Sequence, residues 1–199
     1  MTIADTLRDK LNSLIPERTI CVLGAAVIDQ VMTVPTLPSR GADIEAKSRQ
    51  MHIGGCGLNI ASALHRLNIP SMNAFLIGNG MGTNQIGNYL QARGIEVHLP
   101  KIDGDNGWCL ALVEPDGERS FVTATGVENN WTQAILCQLD IQPNRLIYLS
   151  GYQLVPSADE AIVSWLESID HEVEIVIDFG PRIEQIPPDI MARLFALNS

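Results

Sequence analysis

Short apolar runs alternate along the chain with segments whose apolar residues recur every three or four positions. Each run is typical of a strand buried on both faces of a sheet. The predicted strands are Thr19–Ala26, Asn73–Ile77, Arg145–Ser150 and Glu174–Asp178. The apolar stripes that predict helices are Ile60, Leu64 and Leu67; Ile86 and Leu90; Ile162, Trp165, Leu166 and Ile169; and Ile190, Leu194 and Leu197, with a further helix over Trp131–Leu139. This alternation predicts an α/β fold with a mostly parallel sheet that binds ligands at the carboxyl ends of its strands.

Two segments depart from the alternation. Trp108–Val113 and Arg119–Thr125 are strand-like and flank the turn sequence Pro115-Asp116-Gly117, which predicts a β-hairpin. Residues 34–52 are polar and extended, with no helical period. We expect segments 34–52 and 108–125 to pair in a small sheet that stands apart from the main one.

The first residues have a pattern of their own. Ile3, Leu7, Leu11 and Leu14 recur at helical spacing, which predicts a short amphipathic helix within residues 1–18. Residues 19–199 then form one α/β domain, since the length suffices for one sizeable core.

Composition and charge exclude several classes of partner. Hydrophobic residues make up 46% and charged residues 18%, which argues against disorder. The net charge of −10 argues against a nucleic-acid surface, because phosphate contacts need clustered Lys and Arg. No stretch approaches the ~18 apolar residues of a membrane span, and residues 1–18 lack the apolar centre of a signal peptide. We therefore expect a cytoplasmic protein with neither nucleic-acid nor membrane partners.

The four cysteines fit the same compartment. Cys21, Cys56, Cys109 and Cys137 form no CxxC pair, as expected in a reducing cytoplasm. His52 and Cys56 are a close His/Cys pair, but two ligands do not make a zinc site, so no metal centre is expected.

The stretch Gly54-Gly55-Cys56-Gly57-Leu58-Asn59 is the strongest chemical signal. Glycines at a helix start let a ligand approach the backbone, whose free N–H groups donate to hydroxyl or phosphate oxygens. Asn59 lies in the first helical turn and can both donate and accept to a sugar hydroxyl. The alternative is a tight loop without a ligand.

Asp29 is the second candidate. It follows the first predicted strand, at the sheet edge where α/β proteins bind ligands. Its carboxylate can accept two hydroxyl hydrogen bonds from a polyol. The alternative is an Asp that serves only a turn or a helix start.

Other motifs fail. No GxxxxGK[ST] loop and no G-x-S-x-G is present, and Gly78–Thr83 misses the dinucleotide fingerprint by one residue. This disfavours a nicotinamide-dependent enzyme, and Gly78–Thr83 is predicted to be a strand-to-helix turn.

The ordered set of these features resembles the ribokinase-like (PfkB) carbohydrate kinases. The matching segments are Val22–Asp29, Ile53–Ala61, Leu76–Gly82, Gly94–Val97, the Trp108–Thr125 hairpin and Asp178–Arg182. The resemblance implies a doubly wound sheet with a β lid over a sugar site, and lids that often pair between subunits, hence a homodimer. It implies that Asp29 and Asn59 hold sugar hydroxyls, that Gly54 and Gly55 shape the pocket floor, and that ATP and Mg²⁺ are used.

The sequence also departs from the family pattern. Val27 stands where ribokinases often have Asn, Cys56 replaces a commonly polar residue, Asn84 stands for an Asp, and Phe179-Gly180 replaces Pro-Asn. The family's second signature, a G-A-G-D that carries the catalytic base and an anion hole, has no counterpart.

We therefore expect the amino-terminal portion of such a kinase. Its base, its anion hole and most of its ATP site would lie beyond Ser199, so no catalytic residue is predicted in the chain, and the chain alone should be inactive. The alternative function is a non-catalytic sugar-binding or assembly module.

Overall fold

The computed structural model describes residues 5–6, 9, 19–143, 145–154, 158–170 and 172–197. In this part of the chain, eight strands occupy Ile20–Gly24 (β1), Val27–Thr33 (β2), Ser48–Gly54 (β3), Ser71–Phe75 (β4), Trp108–Val113 (β5), Arg119–Ala124 (β6), Leu146–Ser150 (β7) and Glu174–Asp178 (β8). The α-helices whose bounds lie within the described residues are Cys56–Arg66 (α1), Thr83–Arg93 (α2), Gln133–Leu136 (α3), Asp159–Glu167 (α4) and Pro188–Ala196 (α5). Ile3, Leu7, Leu11 and Leu14, which predict the first helix, lie outside the described residues.

The main sheet consists of four parallel strands in the order β4-β1-β7-β8. Consecutive residues of β1 point to opposite faces, as the two-residue period of a strand requires. Cys21 and Leu23 pack into one core with side chains of α4 and α5, whereas Val22 packs into the other with α1 and α2. Helices thus cover both faces, which confirms the doubly wound α/β fold.

A second sheet has the order β3-β2-β5-β6, and we call it the lid sheet. β2 pairs antiparallel with β3 and parallel with β5, and β5 forms an antiparallel hairpin with β6. Its rows alternate between faces. Asp29, Cys109 and Thr123 share one row on the inner face, and Gln30, Leu110 and Val122 share the next row on the outer face.

The lid sheet begins earlier in the chain than the sequence predicted. β2 starts at Val27, before the predicted segment 34–52, and of that segment only the part from Ser48 onward is a strand. Ala25 and Ala26 alone separate β1 from β2. In the sequence, the two strands resemble one apolar run followed by a polar loop. The pattern of residues therefore did not predict that the chain passes from the main sheet to the lid sheet after β1.

Other element bounds also differ. The helix predicted over Trp131–Leu139 shrinks to α3, where the Thr132 hydroxyl accepts a hydrogen bond from the Ile135 N–H and so caps the helix start. Trp131 lies outside the helix, 2% exposed, and its Nε1 donates to Gln153 Oε1 at 2.7 Å. Gly94 ends α2 in the left-handed conformation, with φ 65°.

This helix end provides a stability prediction. Gly94→Ala places a side chain in the left-handed region and is expected to lower the free energy of unfolding by about 1 kcal/mol. Gly87→Ala is the matched control, because Gly87 lies inside α2 with no atom within 4 Å of an added Cβ and should gain about 0.5–1 kcal/mol. Urea unfolding measures both. Equal effects would contradict the assigned backbone conformation.

Candidate functional site

A cavity of about 520 Å³ lies between the carboxyl ends of the main-sheet strands and the inner face of the lid sheet. The main domain contributes Ala25 after β1, Ser150 at the end of β7 and Arg182 after β8. The lid sheet contributes Asp29 and Phe121. This is the sheet edge where open α/β folds bind ligands, and we call it the central cavity.

Asp29 lies within β2 and is half-buried. Its cross-strand neighbours are His52 and Cys109. Burial raises the pKa of the Asp29 carboxyl above its ordinary value, and the nearby His52 imidazole partly opposes that rise. None of the described residues donates a hydrogen bond to this carboxylate, so its oxygens stay available as acceptors.

The adjacent glycines have distinct steric roles. A Cβ on Gly54 would overlap Asp29 Oδ2, so Gly54 leaves the space in which the carboxylate lies. Gly55 has φ 106°, and a Cβ there would overlap the Ala25 carbonyl oxygen. Gly57 contacts Gly24, since a Cβ added to Gly57 would lie only 2.8 Å from the Gly24 Cα. Gly55 lines the central cavity, whereas Gly54 lies beside the Asp29 carboxylate.

Asn59 lies in the first turn of α1 and also lines the central cavity. Its backbone N–H donates to the Gly55 carbonyl at 2.9 Å, while its amide forms no hydrogen bond within the described part of the chain. Asp29 and Asn59 therefore face one cavity from two different elements. The alternative interpretations of the sequence required each side chain to hydrogen-bond with the neighbouring backbone, and neither side chain does so within the described part of the chain.

The family model of the pfkB family carbohydrate kinases matches residues 17–186. The chain belongs to this family.

The relatives of this pfkB-family chain include the uncharacterized sugar kinase YegV of Escherichia coli, 47% identical over 191 residues, which are 94% of the chain and 59% of that protein. Ribokinase of Arabidopsis thaliana is 24% identical over 185 residues, 90% of the chain and 48% of that protein. Nucleoside kinase of Methanocaldococcus jannaschii superposes with a TM-score of 0.71 at 14% identity, over 91% of the chain and 58% of that structure, which shows a shared fold. The chain thus spans about half to three-fifths of these proteins.

The pfkB family implies ATP and Mg²⁺. At the Gly55–Gly57 turn, the Leu58 N–H donates to the Ala25 carbonyl at 3.2 Å and the Asn59 N–H to Gly55, so both donors are used. Within the described ranges, no three His, Cys, Asp or Glu side chains are grouped to hold a metal ion.

The second glycine turn of the pfkB-family chain is also occupied. The Gly82 and Thr83 N–H groups each donate to the Asp105 carboxylate at 2.9 Å, as does the Thr83 hydroxyl at 2.8 Å. These bonds, with that of Gly82 the largest cause, lower the pKa of the Asp105 carboxyl. Gly78–Thr83 is therefore a strand-to-helix turn, as predicted, and the Asp105 carboxylate that closes it had no sequence signal.

Sequence reasoning did not include several residues of the cavity wall. Cys56 begins α1. Burial first, and then the Asp178 carboxylate, raise the pKa of its thiol, and Ser150 partly opposes that rise. The Arg182 guanidinium lies 5.0 Å from the centre of the Tyr152 ring, and both residues line the cavity. Arg182 had a sequence signal in the Asp178–Arg182 match. The contact between Tyr152 and Arg182 depends on the fold, and no sequence signal predicted it.

No helix among the described residues is long and apolar enough to cross a bilayer.

The charged Asp29 carboxylate is expected to lower the free energy of unfolding at neutral pH. Its raised pKa means that the folded state holds the proton more tightly than the unfolded state, so stability is lost as pH rises through the unfolded and then the folded pKa. Asp29→Asn is expected to raise the free energy of unfolding at pH 7, with a smaller gain near pH 4. Asp43→Asn, in an exposed loop, is the control and should change neither value. A destabilised Asp29→Asn variant at pH 7 would contradict the prediction.

Proposed function

We propose that the protein transfers phosphate from ATP to a hydroxyl of a sugar or a related small polyol, and that this chain forms the sugar side of the site. One observation carries the proposal. A half-buried carboxylate and an amide, Asp29 and Asn59, face one cavity without partners in the described structure. A polyol matches them, because its hydroxyls donate to Asp29 and both donate to and accept from Asn59.

The surrounding wall supports a small polar ligand held against apolar surface. Phe121 of the lid sheet is 62% exposed and lines the cavity, so a sugar ring bound there would cover it. The two glycines leave room on the opposite side, with Gly54 accommodating the Asp29 carboxylate and Gly55 forming open wall. Arg182 adds a cation near the end of β8.

We further propose that phosphate transfer needs groups from the part of the relatives that this chain does not span. The family's G-A-G-D motif is absent from the 199 residues, and its loss removes the base and the transition-state charge stabilisation. A polypeptide of these 199 residues should then bind a sugar and transfer nothing. The competing function is a sugar-binding or assembly module, and it predicts that the whole protein also transfers no phosphate.

Binding tests the site. Calorimetry with D-ribose, D-fructose and inosine should detect a ligand, and Asp29→Ala and Asn59→Ala should weaken its affinity, by about 1.5–3 kcal/mol for the charged acceptor and about 0.5–1.5 kcal/mol for the amide. Asn84→Ala is the matched control, since Asn84 lies in the first turn of α2 outside the cavity wall. Affinity unchanged in both site variants would end the proposal.

Activity tests the transfer. A protein extended to the full length of its relatives should form ADP in a sugar-dependent reaction that Asp29→Ala suppresses. An extended protein that binds sugar and forms no ADP would favour the non-catalytic module. ADP formation by the 199 residues alone, abolished by Asp29→Ala, would refute the proposed need for further groups.

We also propose a homodimer through the outer face of the lid sheet. Val122 is 55% exposed and Met51 49% exposed, and both share the outer row with Gln30 and Leu110. An apolar row on an exposed sheet face favours association with another such face.

Val122→Lys should shift the protein from dimer to monomer in sedimentation velocity, because it places a charge in the apolar row. Glu118→Lys, in the exposed hairpin turn, adds a lysine outside that row and should leave the dimer intact. A wild-type monomer at every concentration tested would refute this contact.

A further inference from the structure

A short 3₁₀ helix, Val127–Asn129, follows β6 at the base of the lid sheet. Val127 and Glu128 are buried, and the Val127 N–H donates to the Asp105 carbonyl at 3.0 Å. Glu128 and Asn129 both line the central cavity. This segment therefore forms a wall of the cavity between the hairpin and the main domain.

The Glu128 carboxylate fixes this wall. Its Oε2 accepts from the Gly107 N–H at 2.7 Å and its Oε1 from the Gly126 N–H at 2.8 Å. Gly107 directly precedes β5, and Thr125 alone separates Gly126 from the end of β6, so one carboxylate joins both ends of the hairpin. Glu128 is 4% exposed, and both of its oxygens are used within the fold. It is thus a structural clamp that sets the position of the next residue.

Asn129 differs from its neighbours because its amide is not satisfied. Its Oδ1 has no contact with solvent and accepts no hydrogen bond, a state shared among the described residues only by the Ser62 hydroxyl. Ser62 lies in α1 and does not line the cavity. Buried polar atoms are normally paired, because leaving one unpaired costs free energy. Gln153, on the same wall, shows the usual outcome, since its Oε1 accepts from Trp131 Nε1.

The side chain of Asn129 can supply this oxygen to a ligand without repacking. The terminal torsion of Asn has a broad and nearly two-fold profile, so a half-turn exchanges the oxygen and nitrogen ends of the amide in almost the same volume. Because Asn129 lines the cavity, such a rotation would give its oxygen a different position in the cavity wall. A ligand hydroxyl would then donate to it.

We propose that Asn129 is a specificity-determining substrate contact, whose carbonyl oxygen accepts a hydrogen bond from a hydroxyl that Asp29 and Asn59 do not bind. The inference rests on the proposed sugar-binding function of the central cavity. It predicts selectivity for ligands with a hydroxyl at that position over their deoxy analogues. An apolar group there would leave the acceptor unpaired.

The test pairs protein variants with ligand variants. Whichever of D-ribose, D-fructose or inosine binds best is compared by calorimetry with its monodeoxy analogues, on wild type and on Asn129→Leu. We expect one analogue to bind wild type roughly two- to tenfold more weakly, and Asn129→Leu to bind parent and analogue equally. Asn129→Asp keeps an acceptor and should keep the preference. Asn130→Leu is the matched control, because the neighbouring amide is exposed and does not line the cavity.

The outcomes separate this inference from the function on which it rests. Absence of binding by all three ligands contradicts the proposed function and, with it, the role of Asn129. Binding that Asp29→Ala weakens and Asn129→Leu leaves unchanged, with every deoxy preference retained, overturns the role of Asn129 alone. If Asn129→Leu does not fold, Asn129→Ser gives the same comparison, and equal binding of all analogues to wild type overturns the inference without any variant.

Discussion

The fold depends on a direct contact between two backbones, at the end of β1 and the start of α1. A Cβ on Gly24 would lie 2.7 Å from the Gly57 Cα, so no side chain fits between strand and helix. The Leu58 N–H donates to the Ala25 carbonyl across this contact. Because α1 is held this close, Asn59 reaches the carboxyl edge of the main sheet. The antiparallel pairing of β2 with β3, in which Val27 lies opposite Gly54, places Gly54 beside Asp29. A larger residue at Gly24 or Gly57 would move β1 and α1 apart and so separate the two halves of the cavity.

The parts of this arrangement that follow local rules could be predicted from the sequence. The period of apolar residues predicts β1, β7 and β8, and the glycine run with Asn59 predicts a helix start beside a ligand site. For Asp29, the structure differs from the local expectation. It was expected to follow a strand at the sheet edge, and it lies inside β2 of the second sheet. No local pattern distinguishes these cases, because the pairing partners of β2 are distant in sequence.

Glu128 and Asn129 show the same limit more sharply. In the sequence they belong to a polar stretch before Trp131 that is typical of a helix start. Their roles appear only when Gly107, about twenty residues earlier in the chain, is brought beside Gly126 by the hairpin. Buried carboxylates that bind backbone N–H groups have no composition signal of their own. Register and turn geometry decide them, and both are properties of the folded chain.

The two-residue connection between β1 and β2 has a mechanical consequence. Ala25 and Ala26 are buried, and they join the central region of the main sheet directly to the centre of the lid sheet. Together with Gly55, Gly107 and Gly126, they form the short connections between the lid sheet and the main domain. A six-residue strand such as β5 is about 20 Å long, so a rotation of roughly 10° at these connections would displace the hairpin tip by about 3.5 Å. A small rotation at these connections would therefore cause its largest displacement at the hairpin turn Pro115–Gly117.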